Sequence, residues 1–127
     1  MVTTEQKLAV VDAYVRGFEA GDAQALANLF ADNASLEDPV GTPVKNGRAE
    51  IDQFYVGAIA TGAKLAMLGT PRCAGDYVAF PFTVTFDWEG ERVVIEVIDT
   101  FQLNDDGKIT EMRAYWGPEN MTGNDNA

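Results

Sequence analysis

The sequence predicts an α+β domain in which three N-terminal helices pack on one face of a mainly antiparallel sheet. Three observations carry this. Apolar residues recur at helical spacing up to about residue 60, then at alternate positions after Gly62. Helices come first and strands after, without the strand–helix alternation of a parallel sheet. The 127 residues suit one domain, and a hydrophobic content of 46% supplies its core.

Each element has a local reason. Thr3 and Gln6 form a capping box, and Gly21 closes the helix they open. Between them Leu8, Val11, Val15 and Phe18 recur at helical spacing, with Tyr14 on the same side. Asp22 caps a short second helix whose face is Leu26, Leu29 and Phe30. A third helix, from about Arg48 to Ala60 with Asn46 or Gly47 near its start, turns Ile51, Phe54, Tyr55 and Ile59 inward. Ser35 to Asp38 reads as a strand that Pro39 ends and Gly41 turns.

Phe80, Phe82, Val84, Phe86 and Trp88 then alternate with smaller or polar residues, giving a strand with one aromatic face. Glu89-Gly90 is a hairpin turn. The next strand sets Val93, Ile95, Val97, Asp99, Phe101 and Leu103 on one face. A turn at Asn104 to Gly107 leads to a strand with Met112, Ala114 and Trp116 on one side. Residues 1–120 thus read as a single domain, and 121–127 as a disordered tail with nothing to bury.

Composition excludes several functions. Nine Lys and Arg against 20 Asp and Glu leave a formal charge of −11, which disfavours nucleic acid and anionic membranes as partners. No apolar run approaches the ~20 residues of a membrane helix, and the N-terminus carries no export signal. The lone Cys73 rules out an internal disulfide and fits a reducing compartment, so a soluble, cytoplasmic protein is expected. The absence of histidine removes Ser–His–Asp and Cys–His catalysis and the common zinc sites. No nucleotide-binding glycine pattern is present, and without an EF-hand spacing no metal is expected.

Chemistry must then come from carboxylates and phenols. Strand alternation places Asp99 on the apolar face with Val97 and Phe101, where desolvation raises a carboxyl pKa. It is either an active-site acid, or turned outward by a bulge, or hydrogen-bonded to a helix end. Asp38 shares a face with Leu36 but also precedes Pro39, where Asp is ordinary turn chemistry. Tyr14 and Tyr55 lie on apolar helix faces, where a buried hydroxyl needs a partner, whether a carbonyl or a group in a cavity. Cys73 has no activating neighbour in the pattern and reads as core.

Four segments carry a resemblance: Leu29-Phe-Ala-Asp-Asn-Ala-Ser-Leu-Glu-Asp-Pro-Val-Gly41, Phe54-Tyr55, Val97-Ile-Asp-Thr-Phe101 and Met112-Arg-Ala-Tyr-Trp116. They resemble the bacterial Δ5-3-ketosteroid isomerases (steroid delta-isomerases) from Gln6 to about Pro118. The resemblance implies the cone-shaped fold of the nuclear transport factor 2-like superfamily, with a curved sheet. It implies that Asp38 is a general base, that Tyr14 and Asp99 donate hydrogen bonds to an oxyanion, and that Tyr55 hydrogen-bonds Tyr14. An aspartic acid kept neutral as a donor is a known feature of that family. Phe30 stands where some members carry a further tyrosine, so the network behind Tyr14 is expected to be shorter.

The implied reaction moves a C=C bond of a Δ5-3-ketosteroid into conjugation through a dienolate, with no cofactor. Phe54, Phe82, Val84, Phe86, Met112 and Trp116, together with Asp99, are expected to contact an apolar substrate. Two other readings stay open: a non-catalytic ligand-binding domain, and a cyclase-like or epoxide-hydrolase-like enzyme of the same superfamily. The missing histidine weakens the cyclase, and Arg113, opposite Met112, does not supply the hydrolase with an arginine between two inward acids. A homodimer is expected through the outer sheet face, where Val94 and Ile98 alternate with Glu96, Thr100 and Gln102.

Overall fold

The computed structural model describes residues 1–122. Helix α1 (Thr4–Ala20) begins at Thr3, whose side chain accepts from the Gln6 N–H (3.1 Å) while Gln6 accepts from the Thr3 N–H (2.8 Å). Gly21 ends it in the left-handed region at φ 66°, the conformation that favours glycine. Its inner stripe is Lys7, Val11, Tyr14 and Phe18, joined by Val10; Leu8, expected inside, is 41% exposed. Position 7 continues the spacing of 11, 14 and 18, so a lysine takes the inward place. Its ammonium satisfies itself on the Gly75 carbonyl, as a long stem with a polar tip can.

Asp22 caps α2 (Ala23–Ala27) by accepting from the Ala25 N–H (3.0 Å). This helix is shorter than expected. Phe30 already belongs to β1 (Phe30–Glu37), because its neighbour Leu29 gives its carbonyl to the Ile109 N–H (2.9 Å) across the sheet. The short β2 (Lys45–Asn46) leads into α3 (Gly47–Ala60), which buries Ile51 and Tyr55 and half-buries Phe54 and Ile59.

Among the described residues the remaining strands are β3 (Lys64–Met67), β4 (Arg72–Ala74), β5 (Tyr77–Trp88), β6 (Glu91–Leu103) and β7 (Ile109–Tyr115). Their order is β2-β1-β7-β6-β5-β3, with β4 also on β5. All pairs are antiparallel except β1 with β7. The β5–β6 hairpin turns through Glu89 and Gly90, both at positive φ (52° and 83°), the backbone that matches the twist of its strands. Three helices on one mixed, curved sheet make the expected α+β cone.

The helices cover the face formed by Phe80, Phe82, Val97, Phe101 and Met112, all buried. The expected tail is partly ordered. Met121 bridges to Ile95, and the Thr122 N–H donates to the Val94 carbonyl (2.9 Å), so the chain straps back onto β6. The rest of that tail, 123–127, lies outside the described residues. No helix among the described residues is long and apolar enough to cross a membrane.

Gly17 of α1 lies close against Leu26 of α2. A Cβ there would stand 2.5 Å from Leu26 Cδ2 and 2.9 Å from its Cγ, and Leu26 is fully buried. Alanine gains about 1 kcal/mol of helix propensity, but overpacking a closed core costs about 1–3 kcal/mol. Gly17→Ala is therefore expected to lower the thermal midpoint despite the better helix former, as calorimetry would show.

Candidate active site

The helices do not fill the cone. Between α1, α3 and the inner faces of β5 and β6 lies a cavity of about 430 Å³ whose lining is overwhelmingly apolar. Three ionisable side chains reach it: Tyr14 from α1, Asp38 from the end of β1, and Asp99 from β6.

Asp99 is 1% exposed, and neither carboxyl oxygen has a hydrogen-bond partner. The β5–β6 register runs unbroken from Tyr77↔Gln102 to Trp88↔Glu91, with Asp99 opposite Phe80 and, on β7, Ala114. No bulge turns it outward; the irregularity of β6 with β7 falls between Gln102 and Leu103. Nor does a helix end receive it. Burial pushes the carboxyl well above the ordinary aspartate value, and the charge of Asp38 adds to the rise.

Asp38 is half-buried and accepts from the Trp116 indole N–H at Oδ1 (3.0 Å). The turn behind it is held by other atoms. The Glu37 carboxylate accepts from the Gly41 N–H (3.0 Å), and the Thr42 N–H and hydroxyl both donate to the Pro39 carbonyl. The Asp38 carboxyl is thus released from turn chemistry. Burial raises its pKa, while the Trp116 hydrogen bond and the Lys45 charge oppose the rise. The two acids differ in kind: Asp38 has a donor and a nearby cation, whereas Asp99 has neither.

Tyr14 and Tyr55 are buried with hydroxyls 3.0 Å apart, a bond in which either can donate. Burial pushes both phenols well above their ordinary value. Phe30 packs against Tyr55 with ring centroids 5.7 Å apart and carries no hydroxyl to extend the network.

Of the expected contact residues, Phe54, Phe82, Val84, Phe86, Trp116 and Asp99 line the cavity. Met112 does not. It is 1% exposed and sits in register between Leu36 and Phe101, inside the packed core rather than at its surface. Tyr55 likewise stands behind the wall, in contact with Tyr14. The sequence reading missed Phe18, Leu65 and Met121 as lining residues; Trp88, Val93, Ile95 and Val97 were on the correct strand faces but not named as contacts. Arg113 points away, toward Glu37 and Glu111 (both 3.6 Å). Among the described residues no group of three or more His, Cys, Asp or Glu side chains could hold a metal ion.

Comparisons with known proteins agree with this architecture. The SnoaL-like domain family matches residues 11–112. A steroid delta-isomerase of Nocardioides simplex is 43% identical over 114 residues, covering 89% of this chain and 91% of that protein. The epoxide hydrolase LasB of Streptomyces lasalocidi is 36% identical over 110 residues, 82% of this chain but 39% of its own length. Among solved structures, the epoxide hydrolase/cyclase-like enzyme SalBIII, described for pyran ring formation in the polyether salinomycin, superposes with a TM-score of 0.89. It shares 29% identity, over 95% of this chain and 98% of that one. These relatives are enzymes, and with a family match over most of its length this chain belongs to the SnoaL-like family, of nuclear transport factor 2-like fold.

Proposed function

We propose that the protein is a cofactor-independent isomerase that moves the C=C bond of a Δ5-3-ketosteroid into conjugation. The observation that carries the reading is Asp99, a carboxyl with both oxygens buried and unpartnered in an apolar cavity that also holds Tyr14 and Asp38. A buried polar group without a partner costs stability. A substrate oxygen supplies the missing partner.

Asp38, ionised, takes the proton from the carbon between the ketone and the alkene. The electrons move onto the ketone oxygen, giving a dienolate. Asp99, neutral, donates to that oxygen, and Tyr14 donates beside it while Tyr55 donates to Tyr14. Both bonds strengthen as negative charge develops, so they favour the transition state over the ground state. Asp38 then returns the same proton two carbons along. Atoms and charge balance without an electron carrier.

Turnover of a Δ5-3-ketosteroid, followed as conjugated-enone absorbance, tests the proposal; no absorbance change at micromolar enzyme would sink it. The likeness to LasB and SalBIII motivates a second arm. The same pair of acids could open an epoxide, Asp99 protonating its oxygen while Asp38 deprotonates an attacking hydroxyl. Preferred turnover of a hydroxy-epoxide would favour that reading.

The active species is proposed to be a homodimer. On the outer sheet face Ile98, Tyr115 and Leu68 are 49%, 43% and 55% exposed, next to the half-buried Val94. Such a half-apolar face suits a symmetric contact. Sedimentation at micromolar concentration is expected to give twice 13.8 kDa; a purely monomeric species would refute the dimer.

A further inference from the structure

The cavity is longer than the reaction requires. Its chemistry sits at one end, where Asp99 stands opposite the fully buried Phe80. From there the inner faces run outward in successive apolar pairs: Phe82 with Val97, Val84 with Ile95, Phe86 with Val93. Asp99 to Val93 measures about 20 Å along β6 at the rise of an extended strand. Burial falls along this path, from Phe82 and Val97 at 4% and 5% to Trp88 at 58%. The closed end is therefore at Asp99 and the mouth at the hairpin. A four-ring nucleus held by its ketone oxygen at Asp99 ends before that mouth is reached.

The outer part carries few polar groups. Its walls include Phe86, Val93, Trp88 and Met121, the last drawn over by its bridge to Ile95. The nearby Thr61 hydroxyl already donates to the Ala58 carbonyl (2.6 Å), and the Thr61 carbonyl accepts from the Asp87 N–H (3.2 Å). The one donor that a ligand carbonyl would meet among these walls is the indole N–H of the exposed Trp88. An alkyl chain would instead cover Trp88 and Met121, which are otherwise 58% and 41% exposed. Glu89 and Glu91 at the hairpin tip would also repel a chain that ended in a carboxylate.

We propose that the outer part of the cavity is a subsite for a saturated alkyl chain, so that the substrate class is a Δ5-3-ketone bearing such a chain at the far end of its rings. This rests on the isomerase reading. Cholest-5-en-3-one and androst-5-ene-3,17-dione share the reacting end and differ at the far end. The wild type is expected to show the higher kcat/KM on the alkyl compound, and Trp88→Ala to lower the ratio of the two about tenfold, mainly through KM. A wild-type preference for the dione, or a ratio unmoved in Trp88→Ala, overturns the subsite while leaving the isomerase reading intact. If neither ketone reacts, the isomerase reading falls instead. Calorimetry with para-alkylphenols then decides the subsite without turnover. Affinity should rise about threefold to fourfold per added methylene in the wild type and rise less steeply in Trp88→Ala; a flat series in the wild type refutes the subsite.

Discussion

Asp38→Asn is expected to fold and bind phenols like the wild type while isomerising roughly 10²–10⁴-fold more slowly, the range typical of a positioned base. The amide keeps the shape of the acid, and its oxygen can still accept from the Trp116 indole, but it cannot take up a proton. The pH profile gives an independent check. Activity needs ionised Asp38, so kcat/KM rises with pH through the Asp38 pKa. Burial places that limb above the ordinary aspartate value of 3.8. Trp116→Phe removes a donor that favours the ionised form, so the limb should move further up. Near wild-type turnover by a folded Asp38→Asn protein, followed by stopped-flow absorbance, would remove Asp38 as the base.

Asp99→Ala should cost about 10²–10³ in rate, the usual effect of deleting one donor to an oxyanion. Asp99→Asn should lose less, because an amide N–H still donates. Phenols, which mimic the dienolate, should bind more weakly to the alanine variant. Stability should move the other way. Below its unfolded pKa Asp99 is protonated in both states. Above that value, near 3.9, the unfolded chain releases the proton while the folded one keeps it, since its pKa is raised by burial. The unfolded state then binds fewer protons, and stability falls as pH rises toward the folded value. Asp99→Asn has no such linkage and should gain on the wild type as the pH rises above the unfolded aspartate value, about 3.9, in denaturant titrations. A carboxylate infrared band from labelled Asp99 at pH 6, with unchanged turnover in Asp99→Ala, would defeat the donor role.

Much of the fold was legible before any coordinates. The Thr3–Gln6 box, Gly21, the Asp22 cap and the Glu89-Gly90 turn are local chemistry, set by atoms within a few residues of one another. The long strands β5 and β6 were legible because a period of two survives any packing arrangement. That same alternation placed Asp99 inside. It could not exclude a bulge, since a bulge depends on the register of neighbouring strands.

What sequence alone could not decide was set by partners distant along the chain. Strands β2, β3 and β4 are two to four residues long and exist because β1 and β5 offer them an edge, so their own composition carries little signal. Phe30 became strand rather than helix through its pairing with Ile109, and Met112 became core rather than cavity wall through its place between Leu36 and Phe101. Residue patterning by itself determined the element order, the inward acid and the aromatic faces, because side-chain direction follows from backbone period. Tertiary structure decided that the Asp38 carboxyl is freed from its turn and held by Trp116, 78 positions away, and that Asp99 has no partner at all. Hydrogen-bond satisfaction is a property of the packed neighbourhood, and only the closed cone defines which groups are left to meet a substrate.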